Sequence, residues 1–358
     1  MITLTLAIMV KNESKVIERC LSSVKDIVDY MIIVDTGSTD NTIEIVTKFF
    51  KDNNVKGELH QKEWKNFGYN KTETISLAKN KSNYILWMDA DDIIIINNNF
   101  NKNELIEDAY YLRYTGNLDY ATPRIMKSNL NWKCIGVVHT YLDCKEAKRP
   151  FKELNTLKIQ TFNDGATNRN DVEILLNAIK DEPNNARYHF YLAQSYKDID
   201  DYKNAIIYYN KRIVLGSWEE EIFYSKYMIS FCYEKLGEIE KAKYYYLNAW
   251  EFRPSRAESL HKLIVLCRKL KQFNQAYLFA KKAIEISYPK DLLFIEKQIY
   301  NFRNLDELAI AAYWIKHYRE CKQLCKILLK KELPDEDRKR IENNLKYAEK
   351  GVNYEKTT

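Results

Sequence analysis

The chain of 358 residues is predicted to fold as an α/β domain with a mainly parallel sheet, followed by an all-α domain of repeated helix pairs. Three observations carry this. Up to about Thr161, short apolar runs alternate with helical patterns. After Asp171 the period becomes helical and stays so. Within that second region a small residue recurs in the second helix of each pair. The domains expected are residues 1–165 and 166–350, with 351–358 as a polar tail.

In chain order, Leu4–Val10 reads as a first strand; it lacks the basic flank and cleavage site of a signal segment and runs into Lys11-Asn12-Glu13. Ser14–Val28 reads as a helix, Met31–Val34 as a strand, Asp40–Asp52 and Lys71–Lys79 as helices, and Ile85–Met88 as a third strand. Asn97–Asn103 is a polar loop, and Tyr110–Tyr114 and Tyr120–Met126 read as later strands. Glu173–Lys180 opens the helical region. The helix pairs are Ala186–Lys197 with Asp201–Leu215, Phe223–Leu236 with Glu238–Glu251, Ser255–Leu270 with Phe273–Ile286, and Leu305–Ile315 with Tyr318–Lys331. Ala205, Ala242, Ala276 and Cys321 mark the second helices at steps of 37, 34 and 45 residues. The tetratricopeptide period is about 34, so the last step needs an insertion. Pro254 and Pro289 follow second helices, where proline stops them.

Composition narrows the function classes. Apolar residues make up 46%, which excludes wholesale disorder, and a formal charge of +6 without a basic block disfavours nucleic acid as partner. No run approaches the ~18 apolar residues of a membrane span. The seven cysteines form no C-x-x-C pair, and Cys321-x-x-x-Cys325 fits one helix face, so reduced thiols and a cytoplasmic setting are expected.

The most informative stretch is Tyr84-Ile-Leu-Trp-Met-Asp-Ala-Asp-Asp92, an apolar strand ending in Asp89, Asp91 and Asp92. Clustered carboxylates repel unless a cation joins them, and an Asp-x-Asp pair offers hard oxygens to Mg²⁺ or Mn²⁺, ions that also hold substrate phosphates. The bland alternative is a solvated turn. Asp35, at the end of the second strand, can accept a hydrogen bond from the imide N–H of a uracil or similar base, whereas Asp40 reads as a helix cap. Asn12 and Glu13 can wrap the base from the other side, with Asn12 or Ser14 as a cap in the alternative. Asn70 and Lys71, near a helix start, suit a diphosphate. His139 is either a core histidine or a third metal ligand or phosphate contact.

The set Val10-Lys-Asn-Glu13, Val34-Asp-Thr-Gly-Ser-Thr-Asp40, Leu86-Trp-Met-Asp-Ala-Asp-Asp92 and Gly136-Val-Val-His139 resembles the family 2 glycosyltransferases. Their catalytic domain has the GT-A fold, a Rossmann-like nucleotide-binding α/β sandwich. The helical half resembles the tetratricopeptide-repeat domain of one subgroup, through Phe190–Tyr196, Gly216–Glu221, Arg253–Glu258 and Asp291–Glu296. The resemblance implies inverting, metal-dependent transfer of a sugar from a nucleotide-sugar donor, a UDP-sugar foremost, to an acceptor hydroxyl or other nucleophile. It implies that Asp35 reads the base, that Asp89 and Asp91 anchor donor and Mn²⁺ or Mg²⁺, and that His139 completes the metal site.

Two departures stand out. Relatives have His-Glu where this chain has His139-Thr140, which leaves the general base among Asp92, Asp143 and Glu146. Relatives carry Arg-Asn in the loop where Asn70-Lys71 stands here, so the bidentate guanidinium fork is missing. The repeats would hold a glycan or protein acceptor, or a second copy in a homodimer. The competing reading is a scaffold or binding protein with a vestigial donor site. A nucleotidyltransferase would want a glycine-rich phosphate loop after the first strand, which Lys11-Asn12-Glu13 is not.

Overall fold

A computed structural model describes residues 1–97, 100–115, 118–162, 164–165 and 170–357. Part of the Asn97–Asn103 loop and the expected domain boundary after residue 165 therefore lie outside the described residues. The chain divides into two compact units, Met1–Pro183 and Asn184–Thr358.

The first unit begins β1 (Leu4–Val10), α1 (Ile17–Val24), β2 (Tyr30–Asp35), α2 (Thr42–Asp52), β3 (Gly57–Gln61), α3 (Phe67–Ala78) and β4 (Tyr84–Met88). It continues β5 (Asp92–Ile96), a 3₁₀ turn, β6 (Ala109–Tyr114), β7 (Leu118–Asp119), β8 (Ala121–Lys127), β9 (Lys133–Ile135), β10 (Tyr141–Asp143), β11 (Lys152–Thr161) and α4 (Asp171–Asp181). Eight strands form one sheet in the order β3-β2-β1-β4-β8-β6-β11-β5. The β3-β2-β1-β4 half is parallel, as expected. The other half is mixed, because β8 runs antiparallel to β4 and β6, and β5 antiparallel to β11.

The parallel strands are apolar throughout because both faces are covered. Leu4, Leu6 and Ile8 of β1, Met31 and Ile33 of β2, and Leu86 and Met88 of β4 point to one face. There they meet Ile17, Cys20, Leu21 and Val24 of α1, the i, i+3, i+4, i+7 stripe of an amphipathic helix, with Val46 and Phe49 of α2. The alternate residues Ala7, Ile32, Val34, Ile85 and Trp87 pack under α3 through Ile75 and Ala78. A one-residue slip would exchange the two faces.

The second unit stacks helix pairs: α5 (Ala186–Asp198) with α6 (Tyr202–Val214), α7 (Glu219–Lys235) with α8 (Ile239–Phe252), α9 (Glu258–Lys269) with α10 (Phe273–Ala283), and α11 (Asn304–Trp314) with α12 (Tyr318–Leu328). α13 (Asp335–Thr357) follows and takes in residues 351–357, the stretch expected as a polar tail. Ala205, Ala242 and Ala276 are fully buried and Cys321 is 1% exposed, so the recurring small residue is where neighbouring helices approach.

The turns repeat as well. Asp200, Gly237, Lys271 and Lys316 each adopt a left-handed conformation between the helices of a pair, at φ of 61°, 77°, 59° and 68°. The next residue's N–H reaches back to a carbonyl of the first helix: Asp201 to Tyr196 at 2.9 Å, Glu238 to Tyr233 at 2.9 Å, Gln272 to Cys267 at 2.8 Å and His317 to Ala312 at 2.8 Å. This is the Schellman closure, and only one of the four positions is glycine. All seven cysteines are free and buried, and no helix among the described residues is long and apolar enough to cross a membrane.

Candidate functional site

The strand order puts β1 between β2 and β4, so successive crossovers leave it on opposite sides. A crevice opens at the carboxyl ends of such strands. β1 ends at Val10, β2 at Asp35 and β4 at Met88, which gathers Lys11–Ser14, Thr36–Asp40 and Asp89–Asp91 on one edge of the sheet.

The first two of these turns are laced together. Asn12 adopts a left-handed conformation at φ 58°; its N–H donates to Ser38 Oγ at 2.8 Å and its Oδ1 accepts from the Thr39 N–H at 2.7 Å. The Glu13 N–H donates to Thr42 Oγ1 at 2.8 Å, and the Ser14 N–H to Asp40 Oδ2 at 3.1 Å. Burial raises the Asp40 pKa, but hydrogen bonds from Thr42 and Ser14 outweigh it and hold the carboxyl at about 2. Asp40 is a structural tie, and the Asn12 amide oxygen serves the same purpose.

Asp35 differs. It is 1% exposed; Oδ1 accepts from the Gly37 and Ser38 N–H groups at 2.9 Å each, while Oδ2 is buried with no hydrogen-bond partner. Leaving a buried acceptor unpaired costs about 1–3 kcal/mol, so the oxygen stands ready for a ligand N–H. Gly37 makes the turn possible by its φ of 101°.

The three carboxylates after β4 have three environments. Asp89 receives Lys71 Nζ at 2.8 Å on Oδ1 and an Arg124 guanidinium N–H at 2.9 Å on Oδ2. Its burial is opposed by these two charges, which hold it well below the usual carboxylate range. Asp91 is half-buried and raised, first by burial and then by the Asp89 charge. Asp92 is 3% exposed and pushed up to about 6 by burial, Arg124 opposing and Asp89 and Asp91 adding. Its Oδ2 lies 3.5 Å from Tyr114 Oη and 3.7 Å from Arg124. Among the described residues Lys71 and Arg124 are spent on Asp89 and Asp92 and Arg19 on Asp164, which leaves Asp91 without an ion pair of its own.

Lys71 is set by α3, whose first turn is capped by Asn66 through the Tyr69 N–H at 2.8 Å. That turn lies tight against the β9 loop: a Cβ on Gly68 would come 2.4 Å from the Gly136 carbonyl oxygen. Residue 165 closes on the carboxylates from another direction, since a Cβ on Gly165 would lie 2.9 Å from Glu13 Oε2 and 3.2 Å from Asp91 Cβ.

Several expected site residues are placed otherwise. Asn70 is fully buried, accepting from the Lys65 N–H at 2.8 Å and donating to the Glu63 carbonyl at 2.9 Å, so it shapes its own loop instead of facing a diphosphate. Asp92 is too deeply enclosed by Arg124 and Tyr114 to reach an acceptor. Asp143 is paired with Arg149 at 2.7 Å in the β9–β10 hairpin. Glu146 binds Asn131, which also holds Lys79 beyond the C-terminal end of α3. Helical rise puts that end about 12 Å along the axis from Lys71.

His139 adopts a left-handed conformation at φ 46°, and its Nε2 sits 3.1 Å from Asp171 Oδ2 rather than in a ligand set with Asp89 and Asp91. Among the described residues no three His, Cys, Asp or Glu side chains stand close enough to share an ion. Sequence reasoning missed Arg124 and Asp171. A lone arginine inside the apolar strand Tyr120–Met126, with three unbalanced carboxylates nearby in the fold, was the available signal for the first. Asp171 stood in the sequence only as the residue after which the helical period begins.

Residues 5–158 match the family described as glycosyl transferase family 2. The chain is 30% identical over 230 residues to the SPbeta prophage-derived glycosyltransferase SunS of Bacillus subtilis (strain 168), covering 59% of this chain and 53% of the relative. It therefore spans about half the length of that relative, and the same holds for glycosyltransferase SunS of Bacillus phage SPbeta. A TPR repeat-containing protein of Synechococcus elongatus, Synpcc7942_0270, is 32% identical over 96 residues, 27% of this chain and 22% of that protein. Among solved structures, a tetratricopeptide repeat protein from Parabacteroides merdae is similar at 18% identity and TM-score 0.37, covering 51% of this chain and 66% of that one.

Proposed function

We propose that the protein is a glycosyltransferase that moves a sugar from a UDP-sugar to an acceptor nucleophile, with a divalent cation at the carboxylates after β4 and inversion at the anomeric carbon. The observation that carries this reading is the pairing, on one sheet edge, of the orphaned buried oxygen of Asp35 with the undercompensated Asp91. β2 and β4 lie two strand spacings apart across β1, about 10 Å. That span leaves room for a ribose between a base held at Asp35 and a diphosphate at Asp89 and Asp91. The Asp35 oxygen accepts the imide N–H of uracil, and the laced turns of Asn12 and Glu13 bound the base on its other side.

The donor set fits a cation. Mg²⁺ and Mn²⁺ are commonly held by one or two carboxylates plus substrate phosphates, and Asp91, with Asp89 as its neighbour, offers that minimum. Such a cation offsets charge developing on the leaving diphosphate. Lys71 adds a mobile charge beside the same group, able to shift from Asp89 to a phosphate oxygen. Arg124 stays behind Asp89 and Asp92 and keeps the acidic turn folded when no ligand is bound. The repeat unit is proposed to bind the acceptor, a protein or a glycan, or a second copy of the chain.

The test is a thermal-shift panel of UDP and UDP-sugars with and without Mn²⁺. A ligand that binds only the folded state at 100 times its Kd stabilises by about 2.7 kcal/mol. A Mn²⁺-dependent shift is expected for the parent, and it should vanish in Asp91→Ala while the protein stays folded. If that variant binds UDP as well as the parent in Mn²⁺, the metal assignment is wrong. Asp35→Ala should lose most of the metal-independent part, and an unchanged shift there would remove the base contact.

A further inference from the structure

Resting on the proposed transfer from a UDP-sugar, we infer that Trp64 is the face on which the donor's uracil stacks and that Asn70 is its positioning residue. Trp64 lies in the loop 62–66, between β3 and α3. That loop is tied down along its length. At its start the Lys62 N–H donates to the Asp35 carbonyl at 2.9 Å, so the chain leaves β3 beside the strand end that carries the orphaned oxygen. At its end Asn66 caps α3 through the Tyr69 N–H at 2.8 Å. Between these ties, the fully buried Asn70 spends its amide on the two residues that flank Trp64. Its Nδ2 donates to the Glu63 carbonyl at 2.9 Å, and its Oδ1 accepts from the Lys65 N–H at 2.8 Å. Glu63 and Lys65 are exposed, and the half-buried side chain that this grip aims is the indole between them.

The strand order places the ring. β2 lies between β3 and β1, and Trp64 follows β3. The cation over the indole, with Nζ 6.0 Å from the ring centroid, is nevertheless Lys11, which follows β1. The two side chains therefore meet across the carboxyl end of β2, where Asp35 stands. Lys11 is itself fixed to that end: Val10 is the register partner of Asp35, and its carbonyl accepts from the Thr36 N–H at 3.0 Å. Phe67, the first residue of α3, steadies the indole by a perpendicular contact at 4.7 Å between ring centroids.

The chemistry divides accordingly. A uracil whose imide N–H donates to Asp35 still has flat faces to take out of water, and an indole matches them. Stacking tolerates any base, so Asp35 supplies the selectivity and Trp64 the affinity. Lys11 stands at the outer limit of a cation–π contact, and its flexible stem lets the ammonium yield to an incoming base. The diphosphate end of the donor, at Asp89 and Asp91 after β4, lies on the other side of β1. The contribution of Trp64 is thus separable from that of the cation.

The experiment measures Kd on the full chain for UDP, with and without Mn²⁺, and for uridine, which has no phosphate. Trp64→Ala should melt like the parent without ligand and weaken UDP and uridine about 10-fold or more. The ratio of its UDP affinities with and without Mn²⁺ should stay that of the parent. Trp64→Phe keeps a ring and should bind UDP nearly as the parent does, while losing most of the UDP-induced change in tryptophan emission. Asn70→Ala should weaken both ligands, with emission of the ligand-free protein shifted to longer wavelength as the loop loosens. A Trp64→Ala protein that binds UDP and uridine like the parent overturns the assignment and leaves the glycosyltransferase reading intact. Loss confined to the Mn²⁺-dependent part overturns it too, since the indole would then serve the diphosphate. An Asn70→Ala protein with the parent's affinities removes the positioning role, and a parent that does not bind UDP overturns both readings.

Discussion

Asp35 and Asp40 stand five positions apart in one turn, and the bonds around them assign opposite tasks. Asp40 spends both oxygens on the Ser14 and Thr42 groups, whereas Asp35 spends one and keeps the other. The Asp40 carboxyl titrates at about 2 in the folded chain, below the ordinary carboxylate value. A depressed folded pKa means stability that is present above the unfolded value and is lost as pH falls toward 2. The gap is worth up to about 2.5 kcal/mol, discounted to roughly 1 because the group is partly open to solvent. Asp40→Ala should therefore cost about 1 kcal/mol at pH 7 in urea unfolding and distinctly less at pH 3. An equal cost at both pH values would show the tie to be steric. Residue type and strand-end position marked Asp35, Asp89 and Asp91 in the sequence, and a place near a helix start marked Lys71. The partners that separate Asp35 from Asp40, or enclose Asn70 and Asp92, come from other turns and strands, and spacing along the chain does not encode them.

At the scale of elements, the repeats were legible because stacking demands a small residue at each close approach, and Ala205, Ala242, Ala276 and Cys321 supplied it. The turns were not, since Asp200, Lys271 and Lys316 adopt a conformation that only Gly237 advertises. β3 and β11 also went unread: β3 is an edge strand with few apolar residues, and β11 alternates lysines and other polar residues with its buried leucine and isoleucine. The 45-residue step has a specific cause. Residues between α10 and α11 are pinned by Arg253 on Asp291 at 2.7 and 2.8 Å, and by Glu220 accepting from the Leu292 and Leu293 N–H groups at 2.8 Å each. Arg256, fully buried, grips Glu258 with two bonds and the Leu293 and Phe294 carbonyls with others. Removing one member of a buried pair costs about 3–5 kcal/mol, so Arg256→Ala should lower the stability of the second unit by that order and leave UDP binding unchanged. Loss of UDP binding in a still-folded variant would contradict the separation. His261 of α9, buried against Asn304 of α11, is held down at about 3 chiefly by burial. Its unfolded form binds a proton below about pH 6.5 while the folded form stays neutral, so stability falls as pH drops through that window. The loss by pH 5 is about 2 kcal/mol. His261→Gln should flatten the stability difference between pH 7 and pH 5, and an unchanged slope would place the acid sensitivity elsewhere.

For the molecule as a whole, the division at Pro183–Asn184 matters more than its 18-residue distance from the expected boundary suggests. Cutting after residue 165 would take away α4 and with it Asp171, leaving His139 without its carboxylate. Cutting after residue 183 keeps every residue assigned above to donor and cation. Two fragments therefore separate the contributions. Residues 1–183 should fold cooperatively, show the parent's Mn²⁺-dependent shift with UDP, and hydrolyse UDP-sugar at a rate near the parent's, while transfer to the native acceptor is lost with the repeats. Residues 1–165 should still bind UDP, because Asp35, Asp89 and Asp91 remain, yet hydrolyse UDP-sugar more slowly than residues 1–183, because α4 and its contact with His139 are gone. If the shorter fragment turns over as fast as the longer one, α4 has no part in the chemistry. If residues 1–183 transfer sugar to the acceptor as well as the full chain does, the repeats act on something other than the acceptor.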